Sequence, residues 1–427
     1  MPTHIEVLFA GFIFLLAYFM IIWEKVHRSV VALTGGLIMV LTGILTQTQA
    51  FQYIDFNTIG LLVGMMAIVG ITRLTGVFGY LAVYSAKVAG GNPVLVLIYL
   101  SMVTAVVSAL LDNVTTVLLI VPVTFSIAKQ MQVNVLPFLF AEIISSNVGG
   151  TATLIGDPPN IMIGSATGLG FMDFLLALAP VIVIVFIANI VWLYVLYKKE
   201  MVTREELRKE IMCIDEKCEI QDHQLLHKCL VVIALTVLGF VLHQYLGLES
   251  ATVALSGAAL LLLVTGIEPA HALNAVEWPV IFFFSGLFVL VGALDHVGII
   301  KDVAKMSLEL TGGAKLPTGL FILWISAIAS AFVDNIPFVA TMIPLIKDVG
   351  NLGGIHDLKP FWWALSLGAC LGGNGTLIGA SANVVVAGLA EKRGILITFW
   401  GFTRIAFPMM LMSIVICMVY LIIFLLR

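Results

Sequence analysis

Apolar stretches long enough to cross a membrane follow one another along most of the chain, and this pattern limits the folds open to it. In the first half they cover about residues 5–23, 29–46, 57–73, 94–128, 136–166 and 172–197. Of the 427 residues, 61% are hydrophobic and 11% are charged, whereas soluble domains carry roughly 25% charged residues. We therefore predict an all-α polytopic membrane protein whose helices are solvated by the lipid bilayer. The net charge of −4 gives no indication of a nucleic-acid partner.

The second half of the chain repeats the first at an offset of 222 or 223 residues. For example, VALTGGLIMVLTGI from Val31 resembles VALSGAALLLLVTGI from Val253. We predict a first repeat over residues 1–197, a charged linker over 198–228 and a second repeat over 229–427. The linker contains seven Lys or Arg and eight Asp or Glu residues, and its sequence TREELRKE predicts a short solvated helix.

Two segments of each repeat are too long for one span and are interrupted by polar residues. Segment 94–128 is interrupted by Asp112 and Asn113, which predicts a re-entrant helical hairpin, and segment 136–166 predicts a discontinuous helix. A span needs about 20 residues, so each repeat has five crossings besides its hairpin, and the chain has about ten. Because five is odd, the second repeat is inverted relative to the first, as in many secondary transporters.

The distribution of Lys and Arg predicts the orientation in the membrane. With five crossings per repeat, the face that carries the linker receives 15 of these residues and the opposite face receives six, although seven of the 15 belong to the linker itself. The positive-inside rule then places the linker in the cytoplasm and both termini outside. We expect the protein in the cell (inner) membrane.

Four helix breaks at membrane depth are the candidate sites. They are the hairpin tips LDNVTT and VDNIPF and the unwound stretches SNVGGTATLIGDPPN and CLGGNGTLIGASAN. Irregular backbone is tolerated there only where it is buried or lines a cavity, and inverted symmetry brings the four breaks together. An Asp near the bilayer centre costs about 2.5–3.5 kcal/mol, whereas a helix cap contributes about 1 kcal/mol. Capping alone therefore does not account for Asp112 and Asp334.

The candidate substrate- and ion-binding residues are the polar residues and one glycine of these breaks. They are Asp112, Asn113, Thr115, Thr116, Asn147, Gly149, Thr151, Asp157, Asn160, Asp334, Asn335, Asn374, Thr376, Ser381 and Asn383.

Four carboxylates are candidate proton carriers. Asp112 and Asp334 are two of them, and Asp157 is the third because its counterpart is Ala380, an asymmetry that would mark the site of a coupling proton or sodium ion. A helix cap is the alternative role for Asp157. Glu142, in FAEIISSN, is the fourth, with a satisfied core carboxylate as the alternative. No metal or cofactor motif is present, and without a G-x-x-x-x-G-K-[ST] motif any ATP-driven pumping would require a partner ATPase subunit.

The motifs SALLDNVTTVLLIVPVT, NVGGTATLIGDPPNIMIG, VDNIPFVATMIP and GACLGGNGTLIGASANVV resemble those of the P-protein permeases. The arsenite-pump (ArsB) and NhaD sodium/proton antiporter families are close to this group within the ion transporter superfamily. The resemblance implies a scaffold part and a moving part with two hairpins, an elevator-like motion and often a homodimer. The dicarboxylate symporters of the superfamily carry Ser-Asn-Thr at their hairpin tips, where this chain has Asp-Asn. Two acidic tips disfavour a dianion unless they are protonated or bound to a cation.

The leading functional hypothesis is gradient-driven efflux of a small inorganic substrate, arsenite or antimonite. These are neutral hydroxides at pH 7, and Asn, Thr and Asp side chains suit their hydrogen bonds. The alternatives are sodium/proton antiport of the NhaD type and anion or organic-anion transport, as proposed for P-protein relatives. A non-transporting receptor is disfavoured by the inverted repeat. An enzyme is disfavoured because no Ser/His/Asp or metal constellation appears.

Overall fold

A computed structural model of the chain describes residues 3–23 and 25–426. Residues 1, 2, 24 and 427, which belong to the predicted repeats, lie outside this described part. Within it the regular structure is entirely helical, and nine helices are long and apolar enough to cross a membrane. The prediction of an all-α membrane fold is confirmed.

Ten helices precede the linker. They are α1 (His4–Trp23), α2 (Arg28–Leu41), α3 (Gln47–Tyr53), α4 (Phe56–Arg73), α5 (Val77–Val88), α6 (Pro93–Leu110), α7 (Asn113–Met131), α8 (Leu136–Thr151), α9 (Pro158–Thr167) and α10 (Phe171–Tyr197).

The linker contains α11 (Glu205–Met212) and a 3₁₀ turn, Glu216–Glu219, and the same order of ten helices follows it. They are α12 (His223–Leu246), α13 (Ser250–Thr265), α14 (Pro269–Asn274), α15 (Trp278–His296), α16 (Ile299–Thr311), α17 (Lys315–Phe332), α18 (Asn335–Gly353), α19 (Lys359–Gly372), α20 (Ser381–Glu391) and α21 (Phe399–Tyr420), which ends in a π-helical turn, Leu421–Leu425.

The four predicted breaks are present. Helices α6 and α7 form the first hairpin and α17 and α18 the second, while α8–α9 and α19–α20 are the two discontinuous helices. The sequence patterns did not predict α3, α5, α14 and α16. Helices α5 and α16 have 12 and 13 residues, too few for a span of about 20. They begin at Gly76 and Gly298, whose φ angles of 79° and 85° favour glycine and turn the chain sharply out of the preceding span.

The helices pack as two groups. The scaffold group is α1–α4 and α12–α15, in which α2 packs on α15 and α4 on α13. The hairpin group is α6–α10 and α17–α21, in which α7 packs on α20 and α9 on α18. Each of these pairings has its counterpart under the repeat, which is what a twofold relation between the halves requires.

Small residues let each hairpin pack closely on the neighbouring discontinuous helix. A Cβ atom added to Gly149 of α8 would lie 2.1 Å from the carbonyl oxygen of Ala105 in α6. In the second half, a Cβ atom on Gly372 of α19 would lie 2.5 Å from the carbonyl oxygen of Ala327 in α17. Close helix approach through glycine is typical of membrane helices, and here it fixes the hairpins beside the unwound loops.

The linker packs against the base of the first hairpin and the end of α4. Thr203 Oγ1 donates to the carbonyl of Met131 at 2.6 Å, and the Gln221 amide donates to the carbonyl of Thr75 at 3.0 Å. Lys87 Nζ lies 2.5 Å from Glu216 Oε2. These contacts mark one end of the molecule as the linker end.

Candidate functional site

Four asparagines from three of the breaks form one hydrogen-bonded cluster with Asn147 at its centre. The Asn113 amide at the first hairpin tip donates to Asn147 Oδ1 at 3.0 Å. The Asn147 amide in turn donates to Asn374 Oδ1 at 2.8 Å and to Asn383 Oδ1 at 3.0 Å. All four side chains, here called the amide cluster, are buried. The sequence-based expectation that distant breaks come together is met here by direct hydrogen bonds.

Each unwound loop is held by an asparagine in the helix that follows it. The Asn160 amide donates to the carbonyls of Thr151 and Thr153 at 3.1 and 2.9 Å. The Asn383 amide donates to the carbonyls of Gly373 and Thr376 at 2.8 and 2.9 Å. These bonds satisfy carbonyls that the unwound backbone leaves without helical donors. The two asparagines therefore have a structural role whatever else they bind.

The threonines of the loops also bond to backbone. Thr151 Oγ1 donates to the carbonyl of Asn147 at 2.6 Å, and Thr376 Oγ1 donates to the carbonyl of Ala331. Gly149 contributes the close helix packing described above. Ser366 and Cys370, which were not among the predicted site residues, both donate to Asn160 Oδ1, at 2.5 and 3.6 Å.

Asp157 is fully buried and incompletely bonded. Its Oδ1 accepts from the Asn335 amide of the second hairpin at 3.4 Å. Its Oδ2 has no hydrogen-bond partner among the described residues, and neither has Asn113 Oδ1 in the amide cluster. Buried acceptors are normally paired, so each of these two oxygens is available to bind a proton, a cation or the hydroxyl group of a solute.

The two hairpin-tip aspartates both cap a helix, but only one has a cation beside it. Asp112 accepts from the Thr115 amide at 2.8 Å and from the Thr115 hydroxyl, while Thr116 Oγ1 donates to the Asp112 carbonyl at 2.9 Å. Asp334 accepts from the Ile336 amide at 3.1 Å. Within the described chain, no Lys or Arg forms a salt bridge with Asp112.

Asp334 forms an ion pair that the sequence does not predict. Arg28 Nη1, at the start of α2 in the scaffold group, donates to Asp334 Oδ2 at 2.7 Å and to Ser381 Oγ at 2.6 Å. The Ser381 hydroxyl also lies 2.8 Å from Asp334 Oδ2. From the sequence alone, Arg28 is one of the 15 Lys and Arg residues of the linker face. The available signal was its asymmetry, because Ser250 occupies the equivalent position of the second repeat.

A cavity of about 290 Å³ lies between the hairpin tips. Its walls include Val114 of the first hairpin, Asp334 of the second, Ser381 of α20, and Arg28 and Glu277 of the scaffold group. Most of the remaining lining is apolar. The cavity therefore joins both tips, one unwound helix and the guanidinium that is bonded to the second tip.

The cavity lies at the linker end of the molecule. Helix α15 begins directly after Glu277, and Ala275 packs on Gly70 near the end of α4. The same end of α4 continues to Thr75, which accepts the hydrogen bond from the linker. A solute that enters the cavity from this end would reach the hairpin tips from the linker side.

Glu142 lies apart from the amide cluster. Thr124 Oγ1 donates to its Oε1, and its Oε2 has no partner in the described structure. The residue is buried between α7 and α8 and shares no hydrogen bond with the four asparagines. Its role as a proton carrier stays a prediction.

Comparison with known proteins identifies the family. Residues 18–368 match the model of a family described as citrate transporter, CitMHS. The chain belongs to this family. It is therefore a multi-pass membrane transporter, and the matched residues include both hairpins, the first unwound loop and helices α2–α4 and α12–α15 of the scaffold group.

Similar proteins are found in bacteria and mammals. The chain is 45% identical over 414 residues to an uncharacterized transporter of Mycobacterium tuberculosis, with 96% of each chain covered. It is 34% identical over 489 residues to the P protein of Homo sapiens, covering 95% of this chain and 58% of that protein. The resemblance to the P-protein permeases is thus confirmed.

A solved structure has the same fold. The crystal structure of the YdaH transporter of Alcanivorax borkumensis, described as having an unusual topology, superposes with a TM-score of 0.59. The alignment covers 97% of both chains at 13% identity, so it supports the fold alone.

Proposed function

We propose that the chain is a gradient-driven secondary transporter that moves a small carboxylate anion through the cavity between its hairpin tips. The observation that carries this proposal is the bond from Arg28 to Asp334 inside that cavity. Two acidic tips would repel an anion, but Arg28 neutralises one of them and adds guanidinium donors suited to a carboxylate. A citrate transporter family model that matches most of the chain supports the same class of solute.

The coupling ion of this proposal binds at Asp157. An ionised carboxylate buried in a low-dielectric region is strongly unfavourable unless it is paired, and the Oδ2 atom of Asp157 has no donor in the described structure. A proton or a sodium ion at this oxygen would remove the unpaired charge. Its position next to the second hairpin, through Asn335, would link ion binding to the tip that lines the cavity.

The movement of this proposal is a displacement of the hairpin group along the scaffold group. Two further cavities separate the groups, one of about 560 Å³ lined by Arg73 and Leu118 and one of about 480 Å³ lined by Asp295 and Ala340. These residues are equivalent under the repeat. Space on both sides of the contact supports an elevator-like motion. In this scheme the linker end of the molecule faces the cytoplasm. A homodimer and a partner ATPase subunit stay predictions.

Arsenite efflux is the second candidate. The unpaired Asn113 Oδ1 and Asp157 Oδ2 atoms are acceptors, and the hydroxyls of a neutral arsenite molecule are donors. Sodium/proton antiport would use the same oxygens with no solute in the cavity. The three alternatives differ in what is transported, so one assay separates them.

The test is flux in proteoliposomes that contain a pH dye, with citrate, succinate, arsenite or sodium supplied in turn under a set proton gradient. The proposal predicts a pH change and uptake with a carboxylate, loss of both in Arg28→Gln, and normal flux in Lys25→Gln. Lys25 is a matched control because it is a nearby cation whose recorded contact is with the Trp23 ring. A response to arsenite or sodium alone would contradict the carboxylate assignment and support the corresponding alternative.

A further inference from the structure

We propose that Asp334 takes up one proton when Arg28 leaves it to bind the carboxylate of the solute, so that anion and proton enter the cavity together. This inference rests on the proposed function and adds a proton site at the second hairpin tip, separate from the coupling site at Asp157.

The geometry of Arg28 leaves it free to exchange partners. Only its Nη1 atom donates in the recorded side-chain bonds, to Asp334 and to Ser381, so the other guanidinium donors remain for a ligand. The guanidinium also lies over the Phe283 ring, 5.1 Å from its centroid, which holds the head group at the cavity wall. A small rotation about this support would turn its paired donors from Asp334 towards the cavity.

The partners of this exchange belong to different groups of helices. Arg28 and Phe283 belong to the scaffold group, whereas Asp334 and Ser381 belong to the hairpin group. The ion pair therefore ties the two groups together in this conformation. Transfer of the guanidinium to a solute would break that tie, so loading the cavity would release the second hairpin tip.

The balance of charges in the cavity indicates that the proton binds to Asp334. In the empty cavity the Arg28 cation and the Asp334 anion sum to zero. If a carboxylate binds Arg28 while Asp334 stays ionised, two anions share one guanidinium in a site where the Asp334 side chain is only 11% exposed. If the Nη1–Oδ2 hydrogen bond breaks and Oδ2 takes a proton from the bulk solution through water in the cavity, the charges of Arg28, Asp334 and the one carboxylate group bound to Arg28 again sum to zero. Ser381 can then accept the new O–H of Asp334.

Other titratable groups face this site, and they define the alternatives. His27 and Glu277 also line the cavity, Tyr18 donates its hydroxyl to the carbonyl of Pro337, and Asp157 and Asp112 lie at neighbouring breaks. His27 Nδ1 is engaged with Ser29 at 2.7 Å. Glu277 is the main rival because it also senses the Arg28 charge, but it forms no ion pair with Arg28 in the described structure. Asp334 is the cavity carboxylate that loses a bonded partner in the exchange.

The exchange belongs to one half of the transporter. Ser250 replaces Arg28 in the second repeat, and Pro158 stands where the second unwound helix has Ser381. The first hairpin tip at Asp112 therefore has no equivalent cation to exchange. One such proton per transported anion follows from this asymmetry.

The test counts protons during binding to the purified full-length protein. Citrate is titrated by calorimetry at one pH in two buffers of different ionisation enthalpy, with a correction for protons that citrate itself binds. We expect uptake of about one proton per citrate in the wild type and in Glu277→Gln. Asp334→Asn, which mimics the protonated carboxyl, should bind citrate without this proton, and Asp302→Asn on the surface should match the wild type.

The outcomes separate this inference from the proposed function. Citrate binding without proton uptake in the wild type, or unchanged uptake in Asp334→Asn, would overturn the proton site and leave the carboxylate carrier standing. Loss of uptake in Glu277→Gln instead would assign the proton to Glu277 and also overturn the inference. Absence of carboxylate binding in the wild type would refute both. If Asp334→Asn does not fold, the affinity of Glu277→Gln decides, because a proton at Asp334 would still weaken its citrate binding by up to about tenfold per unit of rising pH. An affinity of Glu277→Gln that does not change with pH, after correction for citrate's own protons, would overturn the inference.

Discussion

Removal of Arg28 provides the sharpest test of the ion pair at the second hairpin tip. In Arg28→Gln the Asp334 carboxylate keeps its buried position but loses the cation 2.7 Å away. Breaking a fully buried pair costs about 3–5 kcal/mol. Because the Arg28 side chain is 27% exposed, water screens part of this interaction, and we expect about 2–3 kcal/mol. That is roughly a 30- to 140-fold loss in the ratio of folded to unfolded protein.

A double-mutant cycle isolates this interaction from other effects of the substitution. The assay is reversible unfolding of the full-length protein in mixed micelles of detergent and denaturing surfactant. Asp334→Asn alone leaves a partly exposed Arg28 that water can solvate, so its cost should be about 1 kcal/mol. The double variant has no unpaired charge and should regain about 2 kcal/mol relative to additivity. Strict additivity, or a cost for Arg28→Gln no larger than that of Lys25→Gln, would refute the reasoning.

Three further predictions follow from other parts of the structure. Asn147→Leu leaves the side-chain amides of Asn113, Asn374 and Asn383 without their shared partner, at about 1–3 kcal/mol for each buried group. It should lower the melting temperature far more than Asn351→Leu at an exposed position of α18, and equal shifts would contradict the role of Asn147. Gly149→Ala should prevent stable folding because its Cβ would lie 2.1 Å from the Ala105 carbonyl oxygen, whereas Gly388→Ala, with nothing within 4 Å, should be neutral in the same thermal assay. The hydrogen bond from Lys87 holds the pKa of Glu216 below its usual value of 4.5. This bond therefore stabilises the docked linker above pH 4.5 and is lost as the pH falls through the lowered pKa. Hydrogen exchange of the linker should rise at acid pH in the wild type, and it should already be raised near pH 7 in Glu216→Gln.

The sequence predicted most of the fold because hydropathy and repetition act over long stretches. Helix breaks could be located since Asp, Asn and Gly interrupt otherwise apolar segments, and the structure has both hairpins and both discontinuous helices where they were expected. The short helices α5 and α16 were missed because they are too short to be spans and follow a glycine turn. Their sequences are compatible with helices, but they are shorter than the roughly 20 residues by which a membrane span is recognised.

The site could be predicted only in part. The polar interruptions of the apolar segments identified Asn113 and Asn147, but which amide bonds to which depends on packing between the two halves. Arg28 is 306 residues from Asp334 along the chain. A cation at the start of a span is typical of the membrane interface, and only the three-dimensional structure shows that Arg28 lies at the second hairpin tip. The two unpaired oxygens are likewise a property of the packed site and not of any motif.

If one cavity joins both hairpin tips and binds a carboxylate, citrate should protect cysteines introduced into the cavity wall from alkylation. Val114→Cys and Val384→Cys place thiols on the first hairpin and on α20 at the cavity wall, and Met306→Cys on the exposed face of α16 is the control. These variants are made with Cys213 and Cys218, the exposed native thiols, replaced by serine. We expect citrate to slow alkylation at both cavity positions and to leave the alkylation rate at position 306 unchanged. Unchanged alkylation at both cavity positions in the presence of citrate would contradict it.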